Sequence, residues 1–152
     1  MSACQLGRRF SIIAISQRIG AWYRECVESY GLGSRLASIR SLNQPLRDVG
    51  AIQQAHRDAL VGLAQKAVRE DGADVIVLAG APLAGLARQV KALLPVPMVD
   101  GVSSAVVQAQ ALVALNPSRA VEGSFATPPV KPHAGLSPAL AALLQADGIQ
   151  PR

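Results

Sequence analysis

The segment Asp74-Val75-Ile76-Val77-Leu78-Ala79 is a continuous apolar run, and it constrains the fold more than any other stretch of this chain. A short run rich in β-branched residues, with no polar alternation, is the pattern of a strand buried on both faces. Such a strand needs helices above and below it, and the flanking sequence supplies them. Residues 9–15 (Arg-Phe-Ser-Ile-Ile-Ala-Ile) form a first strand, followed by polar Ser16-Gln17-Arg18. A helix over residues 20–30 stops at Gly31-Leu32-Gly33, a C-terminal cap signal. Residues 35–39 give a second strand, ending at Ser41-Leu42-Asn43-Gln44-Pro45.

The longest helix covers residues 51–70. Ile52, Ala55, Ala59, Leu60, Leu63, Ala67 and Val68 give it an apolar stripe at helical period, and Asp71-Gly72 closes it. After the buried strand, Gly80-Ala81-Pro82 turns the chain into a helix over residues 83–94. Pro95 and Pro97 frame a fourth strand at residues 96–99, which ends at Asp100-Gly101. A last helix begins near Ser103 or Ser104, either a good N-cap, and runs to Leu115. Strands alternating with helices imply an α/β fold: a parallel sheet with right-handed crossovers and helices on both faces.

Residues 1–116 therefore make one α/β domain. Beyond Asn116, Pro117, Gly123, Pro128, Pro129, Pro132 and Pro138 break up the chain, and only residues 138–146 can form a further short helix. This proline-rich tail, 117–152, has too little apolar sequence for a core of its own.

Composition excludes several classes. Half of the residues are hydrophobic but only 3% are aromatic, so Ala, Leu and Val do the packing. The net charge of +5 raises the question of nucleic acid, but the 15 Lys and Arg are scattered singly or in pairs, with no basic stripe interleaved with aromatics. No apolar run approaches the roughly 20 residues of a membrane span. The N-terminal residues lack the order of a secretory signal, so a cytoplasmic protein is the expectation. Cys4 and Cys26 make neither a metal spacing nor a CxxC motif, and Cys26 reads as a packing residue beside Ile19, Tyr23, Val27 and Tyr30.

In an open parallel sheet, ligands bind beyond the carboxyl ends of the strands. Three loops there have suitable composition: Ser16-Gln17-Arg18, Gly80-Ala81-Pro82 and Asp100-Gly101-Val102-Ser103-Ser104. Ser16, Gln17, Gly80, Ala81, Gly101 and Ser103 are the candidate binding residues. Glycine lets a ligand approach the backbone, although Gly80 and Gly101 are equally explained as tight strand-to-helix turns. Asp100 ends a strand and either caps the next helix, the simpler assignment, or orients a ligand. Neither GxGxxG nor GxxxxGK[ST] occurs, so nucleotide binding has no support. His56, mid-helix, and His133, in the exposed tail with Lys131 and Pro132, have no catalytic partner motif nearby.

Four separated segments carry a family resemblance that covers essentially the whole chain. Leu6-Gly7-Arg8-Arg9-Phe10-Ser11, residues 70–78 (Glu-Asp-Gly-Ala-Asp-Val-Ile-Val-Leu), residues 95–102 (Pro-Val-Pro-Met-Val-Asp-Gly-Val) and residues 128–136 (Pro-Pro-Val-Lys-Pro-His-Ala-Gly-Leu) resemble the hydantoin racemase branch of the Asp/Glu racemases. The resemblance implies two similar α/β domains, each with a four-stranded parallel sheet of order 2-1-3-4, and substrate in the cleft between them. This chain is similar to the C-terminal of those two. Family chemistry needs no cofactor: two cysteines flank the substrate's α-carbon, one thiolate removing the proton and the other thiol returning one on the opposite face.

In the second domain the family cysteine follows the third strand in a Gly-Cys-Ala-Gly-Met-Ala type turn. Here the matching stretch is Ala79-Gly80-Ala81-Pro82-Leu83-Ala84, which puts the cysteine position on Gly80. Near the first strand, where relatives carry threonines, this chain has Ala14 and Ile15. The resemblance therefore implies a racemase-family protein with no catalytic residue of its own, binding a small amino-acid-like or hydantoin-like ligand. A complementary racemase-like domain, or a homo-oligomer, would complete the cleft, with neither nucleic acid nor membrane as partner. The alternative is a non-catalytic α/β ligand-binding or assembly module.

Overall fold

The computed structural model describes residues 1–42, 48, 50–118, 120–126, 132 and 134–145. The readings made above for Asn43-Gln44-Pro45, Pro128, Pro129, Lys131 and His133 lie outside them. The chain divides into two compact units, Met1–Ala114 and Leu115–Arg152.

The first unit holds α1 (Ser2–Leu6), β1 (Phe10–Ala14), α2 (Gly20–Ser29), β2 (Leu36–Ser41), α3 (Ile52–Asp71), β3 (Val75–Ala79), α4 (Leu86–Val90), β4 (Met98–Asp100) and α5 (Gly101–Leu115), the last running one residue past its boundary. All three strand pairings are parallel, and the sheet order is β2-β1-β3-β4. Helices cover both faces. On one, Ile13, Ile76 and Leu78 pack with Ile52, Leu60, Ala64 and Ala67 of α3 and with Leu86 and Val90 of α4. On the other, Phe10, Ile12, Val75 and Ala79 pack with Ala3 of α1 and Val27 of α2. The alternation along β1 and β3 is the two-residue period of a strand buried on both sides. In the second unit, α6 (Pro138–Gln145) has its Leu140 N–H bonded to the Ser137 hydroxyl at 3.3 Å.

Two elements differ from the sequence reading. The helix expected over residues 83–94 is a single turn, α4, between 3₁₀ turns at Ala81–Leu83 and Lys91–Leu93. Gly85 stands at φ +78°, a left-handed conformation that no helix interior accepts, and so the helix starts after it. The fourth strand starts at Met98, because Pro97 has no N–H to donate, although its carbonyl accepts from Ile76 at 3.0 Å. The turn α1 went unread in the sequence. Arg35 fastens it and the residues after it, its guanidinium donating to the carbonyls of Cys4, Gly7 and Arg8. Among the described residues, no helix is long and apolar enough to cross a membrane.

The amino ends of the central strands are clamped together. The Asp74 carboxylate accepts from the N–H groups of Arg8 and Arg9 at 3.0 and 2.9 Å, while the Arg9 carbonyl accepts from Asp74 and Val75 at 2.8 and 3.2 Å. Gly7 makes the approach possible, since a Cβ there would lie 2.7 Å from both Asp74 Cβ and Val75 Cγ2.

A polar chain ties β1 and β2 to the end of α3. Fully buried Ser11 shares a 2.8 Å hydrogen bond with Ser38, Ser38 donates to Asp71, and Arg40 donates to Asp71 and to Glu70, each at 2.7 Å. Glu70 and Asp71 sit at the helix C-terminus, where the helix dipole disfavours negative charge, and Arg40 offsets that. The Arg40 hydrogen bond does most to hold the Asp71 carboxyl below its ordinary range; burial opposes it, and the Ser38 bond adds to it. A folded-state pKa below the unfolded one contributes stability that is present above the unfolded value, about 3.9, and lost as pH falls through the folded value. Arg40→Gln should cost about 1 kcal/mol at neutral pH. The difference from wild type should shrink in acid, as read from urea midpoints at stepped pH; a difference that persists unchanged below the Asp71 pKa refutes this origin.

Candidate functional site

The candidate residues lie along the carboxyl edge of the sheet, in two groups. The β1:β3 register ends with Ala14 opposite Ala79, so Ile15-Ser16-Gln17 emerges beside Gly80-Ala81. Ser16 is extended, and its hydroxyl oxygen accepts from the Arg18 N–H at 3.2 Å, opening the 3₁₀ turn Gln17–Ile19. Gln17 and Ala81 are exposed, and Ser16 and Gly80 half-buried.

Gly80 stands at φ +112°, ψ 139°, a region that side-chain-bearing residues rarely occupy. Its carbonyl accepts from Leu83 at 3.0 Å. From α3, the Gln53 amide donates to the carbonyls of Pro82 and Ala84 at 2.8 and 3.0 Å and pins the turn from beneath. A Cβ built on Gly80 would lie 3.7 Å from Pro82 Cδ, 3.8 Å from the Tyr23 hydroxyl oxygen and 3.9 Å from Ile15 Cδ1. Tyr23 and Gln53 escaped the sequence reading. Tyr23 fits the apolar stripe of α2 and is remote from Gly80 in sequence, whereas Gln53 follows the first apolar residue of α3 like any surface polar residue.

The second group surrounds Asp100, which is 4% exposed. One carboxylate oxygen accepts from the Ser103 N–H at 2.8 Å and the other from the Gly85 N–H at 3.2 Å. Asp100 thus satisfies an orphan donor in the first turn of α5, so the helix starts at Gly101 and not at Ser103 or Ser104. The expected helix start is thereby corrected, while the simpler assignment of Asp100, as cap, is the one found; with its N–H bonded, Ser103 has its hydroxyl left to offer a ligand. Ser103 also lines a cleft of about 420 Å³ with Asp100, Arg88, Lys91 and Gln108. Gly101 lines another of about 310 Å³, with Val77, Val99 and Ser104. Neither includes Ser16, Gln17, Gly80 or Ala81.

The residue that follows β3 is Gly80 and not a cysteine. Cys4 and Cys26 are free and half-buried on α1 and α2. Among the described residues, no group of three His, Cys, Asp or Glu side chains could hold a metal ion. Burial pushes the Tyr23 phenol above its ordinary pKa, and Cys26 adds to that, so Tyr23 is a neutral hydroxyl at physiological pH.

A parallel 2-1-3-4 sheet, covered on both faces and with its loops gathered at the carboxyl edge, is the scaffold of an α/β ligand-binding or catalytic domain. Residues 1–109 match the family model of the Asp/Glu/hydantoin racemases, and the chain belongs to that family. It is 36% identical over 124 residues to a hydantoin racemase of Paenarthrobacter aurescens, an alignment covering 82% of this chain and 52% of the relative. Among solved structures, the allantoin racemase of Pseudomonas fluorescens superposes with a TM-score of 0.77 at 34% identity, covering 88% of this chain and 57% of that one. The allantoin racemase of Klebsiella pneumoniae gives a TM-score of 0.77 at 30% identity, covering 88% and 55%. The chain thus spans about half the length of the relatives it matches.

Asp100 is the residue on which the β4 edge turns. Asp100→Ala should destabilise the protein by about 1–3 kcal/mol, since it leaves two backbone donors without their acceptor. Asp100→Asn, which keeps one carbonyl acceptor, should cost less. Chemical unfolding of the two variants measures the order, and equal losses would mean that packing, and not hydrogen bonding, sets the cost.

Proposed function

We propose that this chain is the substrate-binding half of a hydantoin- or allantoin-type racemase, corresponding to its C-terminal half and without proton-transfer capacity of its own. The observation that carries this reading is Gly80. The position where the family resemblance expects a cysteine stands at the carboxyl end of β3, beside the β1 loop, and has no side chain. Inverting a carbon next to a carbonyl needs a base on one face and an acid on the other, with donors that stabilise the enolate between them. The Ser16 and Ser103 hydroxyls, the Gln17 amide and the backbone around Gly80-Ala81 and Gly101 are the donors this half can present. The reaction class calls for no cofactor.

Purified chain incubated in deuterated buffer with allantoin, 5-substituted hydantoins and free amino acids tests the reading. No exchange at the stereogenic carbon above the buffer blank is expected, and exchange well above it would overturn the inert assignment. Gly80→Cys, supplied with a complementary domain carrying its own cysteine, should gain exchange. The backbone at φ +112° should cost that variant about 1–3 kcal/mol of stability.

A second reading, a non-catalytic assembly module, is supported by α5. None of its residues is buried, and Val102, Val106, Val107, Leu112 and Val113 are all exposed. Apolar surface of this kind is the mark of an interaction face. A complementary racemase-like domain is the proposed cover, which agrees with the half-length match. Sedimentation should show weak self-association through α5 when that domain is missing, abolished by Val106→Lys with Val113→Lys; a monomer at high concentration removes the homo-oligomer from this reading.

A further inference from the structure

Gly80 is half-buried, and the position of its missing Cβ is lined by three neighbours. Three side chains from three loops and helices approach the point where a Cβ would stand: Pro82 Cδ at 3.7 Å, the Tyr23 hydroxyl oxygen at 3.8 Å and Ile15 Cδ1 at 3.9 Å. All are ordinary van der Waals distances, so an atom at that point is accommodated without displacing its neighbours. Two of the walls are apolar and one is a hydroxyl.

That hydroxyl is uncommitted. It takes part in none of the side-chain hydrogen bonds among the described residues, and no buried polar side-chain atom among them lacks a partner. The Tyr23 oxygen is therefore open to an incoming group and not sealed in the core. Its ring is held in place: it packs against the apolar cluster of Phe10, Ile12, Val27 and Ala79, and its centroid lies 5.3 Å from that of Trp22. A held ring whose hydroxyl has no partner among the described residues, beside half-buried Gly80, suits directed hydrogen bonding.

We propose that Tyr23 is a substrate-binding residue, its hydroxyl donating to a ring carbonyl of a cyclic imide or ureide seated over Gly80 between Ile15 and Pro82. The ligand class rests on the racemase-type reading given above. Because the phenol stays protonated at neutral pH, it serves as a donor and is a poor base, consistent with binding without proton abstraction. A neutral donor flanked by two apolar walls matches a neutral carbonyl better than a carboxylate. Desolvating a full negative charge there would be compensated by a single neutral hydrogen bond.

The test uses the intact chain with hydantoin, 5-methylhydantoin and allantoin as probes, and an open-chain N-carbamoyl amino acid as the carboxylate comparison. Affinities are read by NMR titration. Tyr23→Phe keeps the ring and removes only the oxygen, and should weaken binding of the cyclic probes about 5- to 10-fold, the size of one net hydrogen bond. The open-chain comparison should bind more weakly and change less. The chain has two tyrosines, so carbon-13 labelling at the tyrosine Cζ gives a second readout without mutation. The Tyr23 signal, assigned from its loss in Tyr23→Phe, should shift on ligand addition while that of Tyr30 stays in place. Binding of equal strength in wild type and variant, with no Cζ shift, overturns this inference and leaves the racemase-type reading standing. Failure of the wild-type chain to bind any cyclic probe overturns both.

Discussion

The clamp between Asp74 and the backbone of Arg8 and Arg9 is the constraint on which the rest of the molecule depends. It pins the amino ends of β1 and β3 against each other through four hydrogen bonds, two to the carboxylate and two to the Arg9 carbonyl. That fixes the pairing from Phe10 opposite Val75 through to Ala14 opposite Ala79. Side chains alternate along a strand, so a slip of one residue would send Ser11 and Ile13 to the face now occupied by Phe10 and Ile12. It would also separate the two loops at the far end. The geometry over Gly80 is thus set at the opposite edge of the sheet, by a carboxylate with no part in the site.

At the carboxyl edge, the loops are held from within. Gln53 pins the Pro82 and Ala84 carbonyls from α3, and Asp100 joins the start of α5 to Gly85 ahead of α4. Both use neutral backbone groups as partners, which costs no ligand-facing charge. Because Asp100 takes the Ser103 N–H in the first turn of α5, that donor is not left for a ligand. What this edge can still offer is half-buried Gly80 and the hydroxyls of Ser16 and Ser103.

Scaffold, strand order and loop positions are those of the Asp/Glu/hydantoin racemases. That scaffold carries Gly80 where the family resemblance places a cysteine, which is the ground for proposing that this half binds and does not move a proton. The exposed apolar residues of α5 agree with the interaction face proposed for it.

Much of this was legible in the sequence by itself. The apolar run at residues 74–79 announced a doubly covered parallel strand, the stripe on residues 51–70 announced α3, and four matched segments indicated the family. Periodicity and composition are local quantities, and these features are local. The helix over 83–94 misled because apolar spacing cannot report that Gly85 is left-handed, with its N–H bonded to Asp100 fifteen residues on. The start of α5 was harder to read: Asp100, Ser103 and Ser104 all suit a cap, and Asp100, the simpler assignment, is the one that holds the Ser103 N–H. Gly80 as the position of interest could be read from the chain. That its open side faces the hydroxyl of Tyr23 could not, because only the packing of α2 on the sheet brings together groups the sequence keeps far apart.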